Sequence, residues 1–138
     1  MKKLLTILLL ALTVTALTVT ASANDTFTNP VAPGADPFVM KDDDGTYYLY
    51  ATAGQGGDAY GYQVYSSKNL VEWTAHGYCL LHEDMTDKVN PEYESYHLYW
   101  APEVVKYEGK YYMTVSYEER LGFAVSDSPL GPFKGVTD

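Results

Sequence analysis

The sequence predicts an all-β chain built from two four-stranded antiparallel units, each a blade of a β-propeller, and three observations carry that prediction. Beyond an apolar N-terminal segment no stretch shows helical periodicity; apolar residues alternate or fall in short runs instead. Asp44-Gly45 separates two such runs, a strong short-range hairpin signal, and Glu108-Gly109 repeats the arrangement. The third observation is an internal repeat at an offset of about 60 to 65 residues. Asp36-Pro37-Phe38-Val39-Met40-Lys41 is answered by Ala101-Pro102-Glu103-Val104-Val105-Lys106, and Asp44-Gly45-Thr46-Tyr47-Tyr48-Leu49 by Glu108-Gly109-Lys110-Tyr111-Tyr112-Met113. Gln63-Val64-Tyr65-Ser66-Ser67 is answered by Phe123-Ala124-Val125-Ser126-Asp127, and Trp73 by Phe133. Propellers take about four to eight such units, so two do not close a ring.

In chain order, Lys2 and Lys3 precede an apolar run from Leu4 to Val19, and Ala21-Ser22-Ala23 follows. That is the pattern of a secretory signal peptide over residues 1–23, cut after Ala23, which leaves 24–138 as an exported domain. Thr13, Thr15, Thr18 and Thr20 dilute the run below a good membrane-spanning helix. Without Lys2 and Lys3, seven basic residues face eighteen acidic ones, a net charge of about −11. Nucleic acid and anionic membrane are therefore poor partners, whereas a neutral polymer is compatible. Cys79 is the only cysteine, so no internal disulfide forms, and it reads as a small buried hydrophobe.

Asn24 to Pro33 reads as an irregular lead-in to a hairpin from Gly34 to Thr52. Pro37 biases Asp36 toward an extended conformation on the last residue before a strand. Asp42, Asp43 and Asp44 lack the alternating acid spacing of a calcium loop and read as a solvated turn. Ala53 to Gly61 is a Gly-rich loop, Tyr62 to Ser66 a third strand, and a fourth is expected to begin at Val71. His76 to Leu98 is expected to be a long excursion between repeats. His76, His82 and His97 lack zinc-ligand spacing, and neither a metal nor any other cofactor is expected. The Tyr-Tyr pairs lie inside strands, where alternation buries one ring and exposes the other; Trp100 precedes the innermost strand of the second unit and is expected at the channel mouth.

Five stretches together resemble glycoside hydrolase family 43, the five-bladed propellers that include arabinanases, arabinofuranosidases and xylosidases. They are Asn29-Pro30 through Gly34-Ala35-Asp36-Pro37, Tyr47 to Thr52, Tyr65 to Trp73, Trp100-Ala101-Pro102-Glu103-Val104, and Ser126 to Phe133, in the family's order. The resemblance implies about two of five blades and hydrolysis of arabinose- or xylose-containing plant cell-wall polysaccharide by inversion. It implies that Asp36 is the general base; Trp100, from its place at the channel mouth, is expected to stack on substrate. Inversion needs a second, protonated carboxyl about 6.5–9.5 Å away. By the family's pattern that acid, and an Asp that tunes its pKa, lie beyond Asp138, so the chain is expected to be an incomplete fragment, inactive and poorly folded. Glu103 is the best internal candidate for the acid, but it is expected on the opposite face from the residue aligned with Asp36. Two rival readings are a non-catalytic carbohydrate-binding propeller completed by several short chains, and a retaining, sucrose-cleaving relative with Asp36 as nucleophile.

Overall fold

Eight strands form two four-stranded antiparallel sheets among the residues described by the computed structural model, namely 26, 28–53, 61–88, 99–117 and 120–136. The expected signal peptide, most of the Gly-rich loop and His97 lie outside the described residues. The first sheet runs β1 (Ala35–Lys41), β2 (Tyr47–Ala53), β3 (Gly61–Ser67) and β4 (Thr74–Leu81). The second runs β5 (Tyr99–Tyr107), β6 (Lys110–Tyr117), β7 (Arg120–Ser126) and β8 (Lys134–Gly135). Both are simple meanders, as expected of two propeller blades, and a 3-10 turn, His82–Lys88, follows β4.

Strand alternation sorts the side chains into faces. Met40, Tyr50, Tyr62 and Val64 leave the first sheet on one face and join Val104, Met113, Val115, Ala124 and Phe133 of the second in a single core. Each such burial is worth about 1.5–3 kcal/mol, so this shared core is what joins the sheets. Cys79 is buried in it as expected, with its thiol donating to the Tyr62 carbonyl and its pKa pushed up to about 12 by burial. The outer face of the first sheet, Leu49, Ala51 and Tyr65, is covered by Ala32 and Trp73. The outer face of the second stays open and displays Val105, Phe123 and Leu121.

Four sequence expectations change. Tyr50 pairs with Val64, while its repeat equivalent Thr114 pairs with Phe123, so Phe123 corresponds to Val64 and not to Gln63. That one-residue slip exchanges the two faces of β7, because side chains alternate with period two. The fourth strand begins at Thr74, not Val71, because side chains satisfy the intervening backbone. The Ser67 hydroxyl accepts from the Leu70 N–H at 2.8 Å, and the Asn69 side-chain oxygen accepts from those of Val71 and Glu72 at 3.0 and 2.9 Å. The expected excursion from His76 is strand as far as Leu81; it reads as loop in the sequence because Thr74 to Tyr78 is an exposed sheet edge.

The fourth change concerns Asp42. Asp43 and Asp44 are solvated, but the Asp42 side chain is only 9% exposed and clasps the second sheet. Lys106 Nζ donates to Asp42 Oδ1 at 2.6 Å and Asp43 Oδ2 at 2.8 Å, and the Tyr111 hydroxyl donates to Asp42 Oδ2 at 2.5 Å. Burial pushes the Asp42 carboxyl up, but bonds from Lys106, Tyr111 and the Asp43 N–H outweigh it and hold it below 3.8. Asp44 is held down to about 2 by the Thr46 hydroxyl and N–H and by Lys68. A carboxylate depressed in the folded state contributes stability above its unfolded pKa that disappears as pH falls through the folded value. The Tm therefore falls steeply between about pH 4 and pH 2, and Asp42→Asn lowers Tm at neutral pH while flattening that fall. A pH series of thermal melts checks this; an unchanged acid limb in Asp42→Asn would count against the clasp.

Candidate active-site mouth

The site is built where the innermost strands of the two sheets, β1 and β5, begin side by side. Asp36 is exposed there, and among the described residues no side-chain hydrogen bond or ion pair engages its carboxylate. Its φ is 48°, left-handed and not extended, and the β1–β2 ladder shifts register between Ala35 and Phe38. Ala101, its repeat equivalent, has the same φ of 48°, and the β5–β6 ladder shifts between Trp100 and Glu103. A bulge inserts one residue and re-aims the side chain it carries, which overrides the proline's local preference for an extended neighbour. Each such conformation costs a non-glycine residue about 1–3 kcal/mol, so strain is held at the same point of both blades.

Buried polar groups hold the two bulges together. Thr52, opposite Ala35 in the ladder, accepts the Ala101 N–H on its Oγ1 at 3.2 Å, tying the second bulge to the strand beside Asp36. Tyr62 is fully buried and directs its hydroxyl to the carbonyls of Trp100 at 2.9 Å and Ser116 at 3.1 Å. Burial raises the Tyr62 phenol far above its ordinary range, so it remains a donor. Neither Thr52 nor Tyr62 stands out in the sequence, since only the ladder register brings them under the mouth.

Trp100 is the second residue of β5, with 38% of its surface exposed. Together with Ala101, Glu103, Thr114, Ser116 and Arg120 it lines a cleft of about 480 Å³. Glu103 therefore shares a side with Ala101, contrary to expectation: residues two apart along a strand share a face, and Pro102 and Val104 turn inward between and after them. Among the described residues Glu103 is the one carboxylate on the cleft wall, and Asp36 is the one presented by a strained bulge. Among the described residues no group of three or more His, Cys, Asp or Glu is placed to hold a metal ion. An exposed, unengaged carboxylate can take a proton from an attacking water.

A family model described as glycosyl hydrolases family 43 matches residues 27–137. Among solved structures, a thermostable family-43 glycoside hydrolase is 36% identical with a TM-score of 0.58, the match covering 80% of this chain and 35% of that one. An endo-arabinase from Bacteroides thetaiotaomicron is 30% identical with a TM-score of 0.61, covering 81% and 38%. A GH43 β-xylosidase/α-arabinofuranosidase from a compost microbial metagenome is 33% identical with a TM-score of 0.57, covering 75% and 34%. The chain thus spans about a third of the length of these structures. Among curated proteins none matches.

Proposed function

The chain belongs to glycosyl hydrolase family 43, a family of glycosidases, and on that premise we propose that Asp36 is the general base of an inverting glycoside hydrolysis. The substrate is an arabinose- or xylose-containing polysaccharide of the plant cell wall, a class supported by the arabinase and xylosidase among its structural relatives. Residues 1–23 direct export, and Trp100 stacks on a sugar ring at the mouth. The observation that carries this reading is the strained bulge that presents Asp36, exposed and unengaged, beside the strand that bears Trp100.

Inversion divides the work between a base that activates water and an acid that protonates the leaving oxygen. Asp36 takes the water proton on the face opposite the scissile bond. The acid is a carboxyl outside the described residues, and Glu103 serves hydrogen bonding in the cleft. Substrates whose leaving group departs without a proton test the base alone. The sequence alone suggests an inactive, poorly folded chain, but one core shared by the two sheets supports a folded one; on that basis the chain is expected to hydrolyse 2,4-dinitrophenyl β-xyloside or α-arabinofuranoside, while its turnover of xylan and arabinan is lower by about the 10²–10⁴-fold that a general acid supplies. Absence of turnover on both activated glycosides would remove the general-base assignment.

A further inference from the structure

We infer that Thr52 and Tyr62 are positioning residues, which together lock the Trp100–Ala101 peptide, and with it the bulge of the second sheet, at a fixed place beside Asp36. This rests on the glycosidase reading and adds to it the groups that set its geometry. The hydrogen bonds that reach the second bulge from the first sheet end on a single peptide group. Its carbonyl, on Trp100, accepts from the Tyr62 hydroxyl at 2.9 Å, and its N–H, on Ala101, donates to Thr52 Oγ1 at 3.2 Å. Thr52 and Tyr62 are partners in the β2–β3 ladder, and directly opposed residues put their side chains on one face, so both reach the second sheet from the same rung. That rung continues to Ala35, the residue before Asp36. The clamp on the second bulge is thus anchored at the first.

A clamp is needed there. Turning the Trp100–Ala101 plane over changes the φ of Ala101 and takes it away from 48°, a region that strains a non-glycine residue. Relief of that strain and the loss of one net hydrogen bond are of similar size, so two bonds hold the plane where one would not. Thr52 is only 6% exposed and Tyr62 fully buried, so water hardly competes for either hydroxyl. Tyr62 shares its one proton with the carbonyl of Ser116, the ladder partner of Trp100, at 3.1 Å, which ties the peptide to β5 and β6 at once. A misplacement of about 1 Å far from the chemistry can cost about 10²-fold in rate. Two hydroxyls that touch no reacting atom can therefore govern turnover at Asp36.

Thr52→Val and Tyr62→Phe closely keep the shape of each side chain and remove its hydroxyl. In the 138-residue chain each is expected to lower kcat/KM on 2,4-dinitrophenyl β-xyloside by about ten- to a hundredfold, and Thr52→Ser, which keeps the acceptor, to retain most of the parent value. The chain has two tryptophans, so in a Trp73→Phe background Trp100 is the sole indole and reports on the clamped peptide. Its quenching by acrylamide is expected to change in Thr52→Val and Tyr62→Phe and not in Thr52→Ser. A lower Tm in Thr52→Val and Tyr62→Phe with parental kcat/KM and parental quenching would overturn the inference, leaving the hydroxyls a purely structural role and the glycosidase reading in place. A loss in Thr52→Ser equal to that in Thr52→Val would also overturn it, since the hydroxyl would then not be the group that acts. A parent that turns over neither activated glycoside would overturn the glycosidase reading, and the positioning role with it.

Discussion

Asp36→Asn is expected to lower kcat on 2,4-dinitrophenyl glycosides by about 10²–10⁴-fold with little change in KM, the loss that removal of a general base produces. The substitution exchanges one carboxylate oxygen for an amide nitrogen, so size and shape persist and only the proton acceptor disappears. Stability is not expected to fall with it. Asp36 is exposed and holds a φ of 48°, a region that Asn enters more readily than most residues. Activity and Tm therefore separate: the rate collapses while the melting temperature stays or rises slightly. Azide, which attacks without surrendering a proton, is expected to restore turnover in the variant. Wild-type kcat in Asp36→Asn would contradict the assignment directly.

The second large effect is on folding. Phe133→Ala is expected to cost about 3–5 kcal/mol, a large share of the 5–15 kcal/mol available to a small domain. The ring is fully buried and meets Tyr50 edge to face, with centroids 6.2 Å apart at 85°. Its backbone N–H donates to the Cys79 carbonyl at 2.8 Å, so the residue also pins the start of β8 to β4 of the other sheet. Gly131, two residues earlier, has a φ of 83° and passes so close that an added Cβ would lie 2.4 Å from the Cys79 oxygen. No collapse of the backbone can therefore refill the cavity cheaply. Trp73→Ala, at the equivalent place of the first sheet, is expected to cost less because Trp73 is only half-buried on an outer face. Urea unfolding of the two variants checks the ranking, and equal midpoints would show that Phe133 does not join the sheets.

Local features of this fold were legible in the sequence because their causes are local. Asp44-Gly45 set a hairpin, the repeat marked two units, and the Tyr-Tyr pairs fell inside strands. What escaped depends on pairing between distant segments. Asp42 looked like a solvated turn residue because its partners, Lys106 and Tyr111, stand 64 and 69 positions away. Tyr62 looked like one strand tyrosine among many until the register set its hydroxyl under the carbonyls of Trp100 and Ser116. The slip of one residue in matching β3 to β7 has the same origin: repeat similarity fixes order, whereas hydrogen-bonded pairing fixes which face a side chain takes. Of the proposed site, the sequence named Asp36 and Trp100 as candidates. The bulge that turns Asp36 to a left-handed conformation was not legible, since Pro37 argues locally for an extended neighbour.

Proton NMR during hydrolysis of 2,4-dinitrophenyl β-xyloside, recorded before the free sugar mutarotates, tests most directly the role given to Asp36. With Asp36 delivering water to the face opposite the leaving group, the first sugar signal is α-xylose, and Asp36→Asn removes it. β-Xylose as the first product, or α-xylose formed at the wild-type rate by Asp36→Asn, would contradict a general base at this position.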